Sequence, residues 1–152
     1  MKKPRFEAHP SAFWYMNMLI PALFGILLYT FIRQDGLLSH MEYFSTSFRW
    51  LRSVTYHEYT PSSWFGLFVK NQLGDLLWAY ALEVALVLSM GNLKKATTWG
   101  IIIAITTECC QLLPFIYATF DVLDIIAQVG GVVLASIVSR TFYKHWLTIE
   151  TH

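Results

Sequence analysis

Four apolar stretches, each with polar or acidic residues recurring at helix spacing along one side, constrain this chain more than any other feature. The pattern predicts an all-α integral membrane protein: a single domain over residues 1–152 with four transmembrane helices, about 13–32, 71–90, 97–116 and 121–139, in an antiparallel bundle. A carboxylate in hydrocarbon costs roughly 2.5 to 3.5 kcal/mol on the insertion scale, so a chain that holds several there must neutralise or use them.

Length supports the reading. Residues 13–32 carry no charge over 20 residues, which as a helix rises about 30 Å, the thickness of a bilayer's hydrocarbon core. The chain is 55% hydrophobic and only 14% charged, beyond the usual soluble composition. Lys2, Lys3 and Arg5 precede the first apolar run as in a secretion signal. That run exceeds an ordinary signal core and no A-x-A-like cleavage site follows it, so an uncleaved first span is expected.

Orientation follows from the Lys and Arg bias of short loops. With the N-terminus in the cytoplasm, Lys2, Lys3, Arg5, Lys94, Lys95, Arg140 and Lys144 fall inside, and Arg33, Arg49, Arg52 and Lys70 fall outside. Both termini are therefore expected in the cytoplasm. A formal net charge of +1 without a basic stripe gives no reason to expect nucleic acid. Cys109 and Cys110 are adjacent on one helix, a poor geometry for a mutual disulfide, and read as small buried hydrophobes. No metal-ligand spacing is present, and no cofactor is expected.

Each span has a small-and-polar stripe. In the first, Asn17, Pro21 and Gly25 are four apart, with proline disturbing the helix ladder and glycine permitting close approach of a neighbour. The second shows Asp75, Ala79 and Glu83; the third Thr97, Gly100, Ala104, Glu108 and Gln111; the last Asp121, Asp124, Gln128, Gly131, Ala135 and Ser139. Spacings of three and four place such residues on one helix face, and small residues there let membrane helices pack.

Between the first two spans, residues 33–72 form a long segment rich in Tyr, Trp and Phe. Aromatic residues favour the membrane–water boundary, so this segment is expected on the outer leaflet or over the bundle mouth. Its Arg49, Arg52 and Lys70 are possible positive partners for the acids.

A short turn near residues 115–120 makes the last two spans antiparallel neighbours. Residues equally distant from the turn then share a depth, which sets Glu108 opposite Gln128 and Gln111 opposite Asp124 in the outer half of the bilayer. Two uses follow. The groups can satisfy one another as helix-to-helix glue, for example a protonated Glu108 with Gln128. Alternatively they line an outward-facing polar cavity for a cation, a proton or the polar part of a lipid or antibiotic. Paired carboxylates can also do acid–base work on a lipid-linked substrate, but no nucleophile, phosphate clamp or metal motif accompanies them.

The run GDLLWAYAL at residues 74–82 and ECCQLLPFIYATFDVLDIIAQVGGVVLA at residues 108–135 resemble the VanZ-like family of bacterial membrane proteins. In that pattern an acid opens one span, E-x-x-Q closes the next, and D-x-x-D-x-x-x-N-x-x-G fills the last. Asp75, then Glu108 and Gln111, then Asp121, Asp124, Gln128 and Gly131 take those places. Three features depart: no basic residue among Tyr117, Ala118 and Thr119, glutamine at 128 for the usual asparagine, and Trp78 and Tyr80 where a histidine follows the first acid. The resemblance implies a protein of the bacterial cytoplasmic membrane and an association with glycopeptide resistance, especially to teicoplanin.

The expected role is non-enzymatic, with the acidic seam and aromatic segment binding a membrane lipid, a lipid-linked precursor or a lipophilic glycopeptide. The alternatives are an intramembrane enzyme acting on a lipid head group and a structural subunit contacting a membrane-protein partner.

Overall fold

Punctuation in the sequence sets where the helices start and stop. The structure, a computed structural model, describes residues 12–31, 62–113 and 120–149. Among them are five helices: α1 (Ala12–Phe31), α2 (Trp64–Asn71), α3 (Leu73–Met90), α4 (Leu93–Cys110) and α5 (Val122–Ile149). Ser63 caps α2 by accepting from the Gly66 N–H at 3.1 Å, which satisfies one of the donors that every helix start leaves open. Only Gln72 separates α2 from α3. Gly91 ends α3 in the left-handed region at φ 57°, its N–H donating to Val87 O. Glycine adopts that conformation without a Cβ penalty. Asn92 then caps α4 by accepting from the Lys95 N–H at 3.1 Å, so the α3–α4 turn takes two residues.

Side-chain pairs fix how the helices run. A Cβ on Gly25 of α1 would sit 3.5 Å from Gly74 O and 3.6 Å from Leu77 Cβ of α3, while Asn17 meets Tyr80. These two helices therefore point in opposite directions. Gly131 of α5 lies on Leu76 and Tyr80, and Ser136 meets Glu83, so α3 and α5 point the same way. Thr97 meets Ser136 and Glu108 meets Gln128, which opposes α4 to α5. Helix α3 is the centre, packed against all four other helices. Trp14, Tyr80, Val84 and Ala135 form a buried apolar cluster, with Met18, Leu88 and Val138 against it.

The outward faces are apolar. On α1, Ile20, Leu23 and Ile26 are more than half exposed, as are Ile126 and Ile137 on α5. Monomeric soluble proteins rarely present such contiguous faces. Ala12–Tyr29, Leu73–Met90 and Val122–Phe142 are long and apolar enough to cross a membrane.

Helix α4 is not among those three. It opens with Lys94, Lys95, Thr97 and Thr98 and closes with Thr106, Thr107 and Glu108. It also stops at Cys110, short of the apolar residues that the sequence pattern had included up to 116. Proline lacks an N–H, and in a helix its ring clashes with the carbonyl four residues back, so the sequence favours a helix end ahead of Pro114. The other bounds shift as well. The second span begins at Leu73, the segment expected to be a loop up to residue 72 ends in helix α2, and α5 runs past Ser139 to Ile149. Cys109 is exposed and Cys110 half-buried, so the first is not the interior hydrophobe expected.

Candidate functional site

Three helices each place one oxygen at a common point. Glu83 of α3 is fully buried, and its Oε1 lies 2.9 Å from Thr97 Oγ1 of α4 and 2.9 Å from Ser136 Oγ of α5. The two hydroxyls are 2.8 Å apart. The oxygens thus make a nearly equilateral triangle, one corner per helix. Thr97 Oγ1 is also 2.9 Å from the Leu93 carbonyl of its own helix. Gly100 makes room for the other carboxyl oxygen, since a Cβ there would fall 2.5 Å from Glu83 Oε2 and 3.2 Å from Val132 Cγ1.

A second polar layer lies toward the start of α5. Gln128 Nε2 donates to Glu108 Oε1 at 2.6 Å, both residues buried. Thr107 Oγ1 donates to Gln128 Oε1 at 3.3 Å. Eight residues of α5 separate Gln128 from Ser136, about 12 Å at roughly 1.5 Å per residue. The expected opposition of Glu108 and Gln128 is therefore present as a direct contact. Asp124, in the first turn of α5, is also buried.

Helix α1 meets α3 through two further bonds. Tyr29 donates to Asp75 Oδ1 at 2.9 Å, and Tyr80 donates to Asn17 Oδ1 at 2.9 Å. Asp75 is 7% exposed in the first turn of α3. Asn17 and Gly25 face α3 as their spacing suggested, and Pro21 is half-buried between them.

One predicted seam residue stands elsewhere. Asp121 precedes α5 and its Oδ1 accepts from the Leu123 N–H at 2.8 Å, a helix cap. Gln111 is half-buried at the end of α4, where its backbone N–H bonds to Glu108 O at 3.0 Å. No bond from the Gln111 side chain to Asp124 is present among the described residues. Lys70 is half-buried in the last turn of α2 and makes no ion pair among the described residues. Arg49 and Arg52 lie outside the described residues.

The packing residues are as expected: Gly100, Ala104, Gly131 and Ala135 are all buried. Gly131 is the tightest, since a Cβ there would overlap the Leu76 carbonyl oxygen of α3. Sequence reasoning missed Ser136. The signal was present, because Gln128, Val132 and Ser136 are four apart and form a second face of α5 against α4.

Glu83 meets the hydroxyls of Thr97 and Ser136, Asp75 the phenol of Tyr29, and Glu108 the amide of Gln128. Trp64 and Phe65 at the start of α2 are 90% and 77% exposed. They stand on the short helix that feeds directly into α3 and Asp75. Comparisons with protein families, curated proteins and solved structures return no match to this chain.

Proposed function

We propose that this is a VanZ-like protein of the bacterial cytoplasmic (inner) membrane. In this reading α1, α3, α4 and α5 all cross the bilayer as a four-helix antiparallel bundle, with both termini in the cytoplasm. Helix α4 crosses despite its polar residues because Thr97, Gly100, Ala104 and Glu108 are turned toward α3 and α5. Lys94 and Lys95 at the α3–α4 turn hold that end inside.

The outer end then carries Asp75, Glu108, Gln128 and Asp124, next to α2. Its role is to hold the polar part of a membrane lipid, a lipid-linked precursor or a lipophilic glycopeptide, without catalysis. The observation that carries this reading is the placement of α2. Its exposed Trp64 and Phe65 suit the interface, Lys70 closes it with a cation that makes no ion pair among the described residues, and Asp75 follows within one turn of α3.

Full-length protein in lipid nanodiscs, titrated with a fluorescent teicoplanin-class glycopeptide and separately with an isoprenoid-diphosphate lipid, tests it. One of the two should bind saturably, with affinity falling tenfold or more in Trp64→Ala and in Lys70→Ala. Binding of neither, or binding unchanged in both variants, would contradict the reading. Trp64 is 90% exposed, and a thermal melt of each variant separates loss of binding from loss of fold.

A further inference from the structure

The geometry points to Glu83 as a proton-binding site: the carboxyl is held as the neutral acid, its proton the first of a chain that runs through Ser136 and Thr97 to the Leu93 carbonyl. This inference concerns the inner layer of the seam and does not depend on what the outer end binds.

Counting protons carries the argument. Four oxygen–oxygen contacts of 2.8 to 2.9 Å join Glu83 Oε1, Ser136 Oγ, Thr97 Oγ1 and Leu93 O. A serine and a threonine hydroxyl supply one proton each. An ionised Glu83 adds none, so two protons serve four contacts; if both go to the carboxylate, the two hydroxyl oxygens face each other at 2.8 Å with nothing between them and Leu93 O keeps only the backbone N–H of its own helix. A protonated Glu83 adds a third. Three of the four contacts are then served instead of two: Oε1–H donates to Ser136 Oγ, Ser136 to Thr97 Oγ1 and Thr97 to Leu93 O, while the 2.9 Å contact of Oε1 with Thr97 Oγ1 carries no proton of its own.

The second carboxyl oxygen gives an independent reason. Glu83 is 0% exposed, and its Oε2 is buried with no hydrogen-bond partner among the described residues. It rests against Gly100. An ionised carboxylate would place half its charge on that oxygen, and a buried charge without donors is far more costly than a buried neutral carbonyl. Among the described residues, Thr97 and Gly100 of α4 and Ser136 of α5 stand against the Glu83 carboxyl, and none of them is titratable. The cations nearest in sequence to Thr97, Lys94 and Lys95, are exposed.

The consequence is a proton-dependent bond among α3, α4 and α5: removing the proton leaves charge on a carboxylate whose Oε2 has no donor among the described residues.

Infrared difference spectroscopy of the full-length chain in lipid vesicles at neutral pH reads the site directly. Wild type minus Glu83→Gln should contain the C=O stretch of a protonated carboxylic acid, and Ser136→Ala should shift that band to higher frequency by removing its acceptor. Loss of the paired carboxylate stretches in Glu83→Gln, with no change in the acid region, would overturn the proposal. If Glu83→Gln fails to fold, Ser136→Ala and Thr97→Val decide: an acid band that moves supports the site, and an acid region identical to wild type overturns it. Melting in sodium against choline salts gives the second arm. An unchanged Tm is expected, whereas a sodium-dependent rise abolished by Ser136→Ala would assign the oxygens to a metal cation instead.

Discussion

Gln128 of α5 donates through Nε2 to Glu108 Oε1 of α4 at 2.6 Å, and the two side chains are 3% and 2% exposed. The bond joins residues 20 apart in the chain. Its strength is measurable. Hydrogen bonds between membrane helices average about 0.6 kcal/mol and reach about 1.7. A double-mutant cycle of Glu108→Ala and Gln128→Ala, followed by reversible unfolding in mixed detergent, should give a coupling energy inside that range. A coupling of zero would mean that the two groups do not hold the helices together.

Neighbouring glycines on α5 should behave in opposite ways. A Cβ at Gly131 would overlap the Leu76 carbonyl and come within 3.1 Å of Tyr80 N, whereas one at Gly130 would meet nothing within 4 Å. Both obstacles at Gly131 are backbone, which no rotamer change relieves. Gly131→Ala should cost about 1–3 kcal/mol by overpacking α3 against α5. Gly130→Ala should be neutral, or stabilising by up to about 1 kcal/mol, because alanine is the better helix former. Thermal melts of the two variants side by side make the comparison, and equal effects would contradict the close approach at Gly131.

The bond from Tyr80 to Asn17 fastens α1 to α3. Tyr80→Phe keeps the ring in its cluster with Trp14, Val84 and Ala135 and removes only the hydroxyl. A loss of about 0.5–1.5 kcal/mol is expected. Asn17→Ala should lose a similar amount, and the double variant little more than either single one. Fully additive losses would show that the two groups act separately.

Much of this arrangement was legible because it follows from periodicity. Glu108 and Gln128 could be paired by counting outward from a short turn, and Asn17 and Gly25 could be assigned to one face by their spacing. Ser136 escaped because one stripe was sought on α5, whereas the helix packs on two neighbours. Gly131 and Ala135 face α3, while Gln128, Val132 and Ser136 face α4. Asp121 looked like a seam acid by spacing, but a carboxylate just ahead of a helix finds open backbone N–H donors, and it caps α5 instead. Helix α2 was hidden by its aromatic residues, which suit an interfacial segment of any conformation. Ser63, three residues before Gly66, was its one starting signal.

That α4 crosses the bilayer, with its polar residues turned inward, is tested most directly by the sidedness of its two ends. With Cys109→Ser and Cys110→Ser as background, single cysteines introduced as Lys95→Cys and Leu113→Cys can be labelled by an impermeant thiol reagent from either side of sealed vesicles. Lys95→Cys should label only from the cytoplasmic side and Leu113→Cys only from the outer side. Labelling of both positions from the same side would contradict a transmembrane α4 and with it the four-helix bundle.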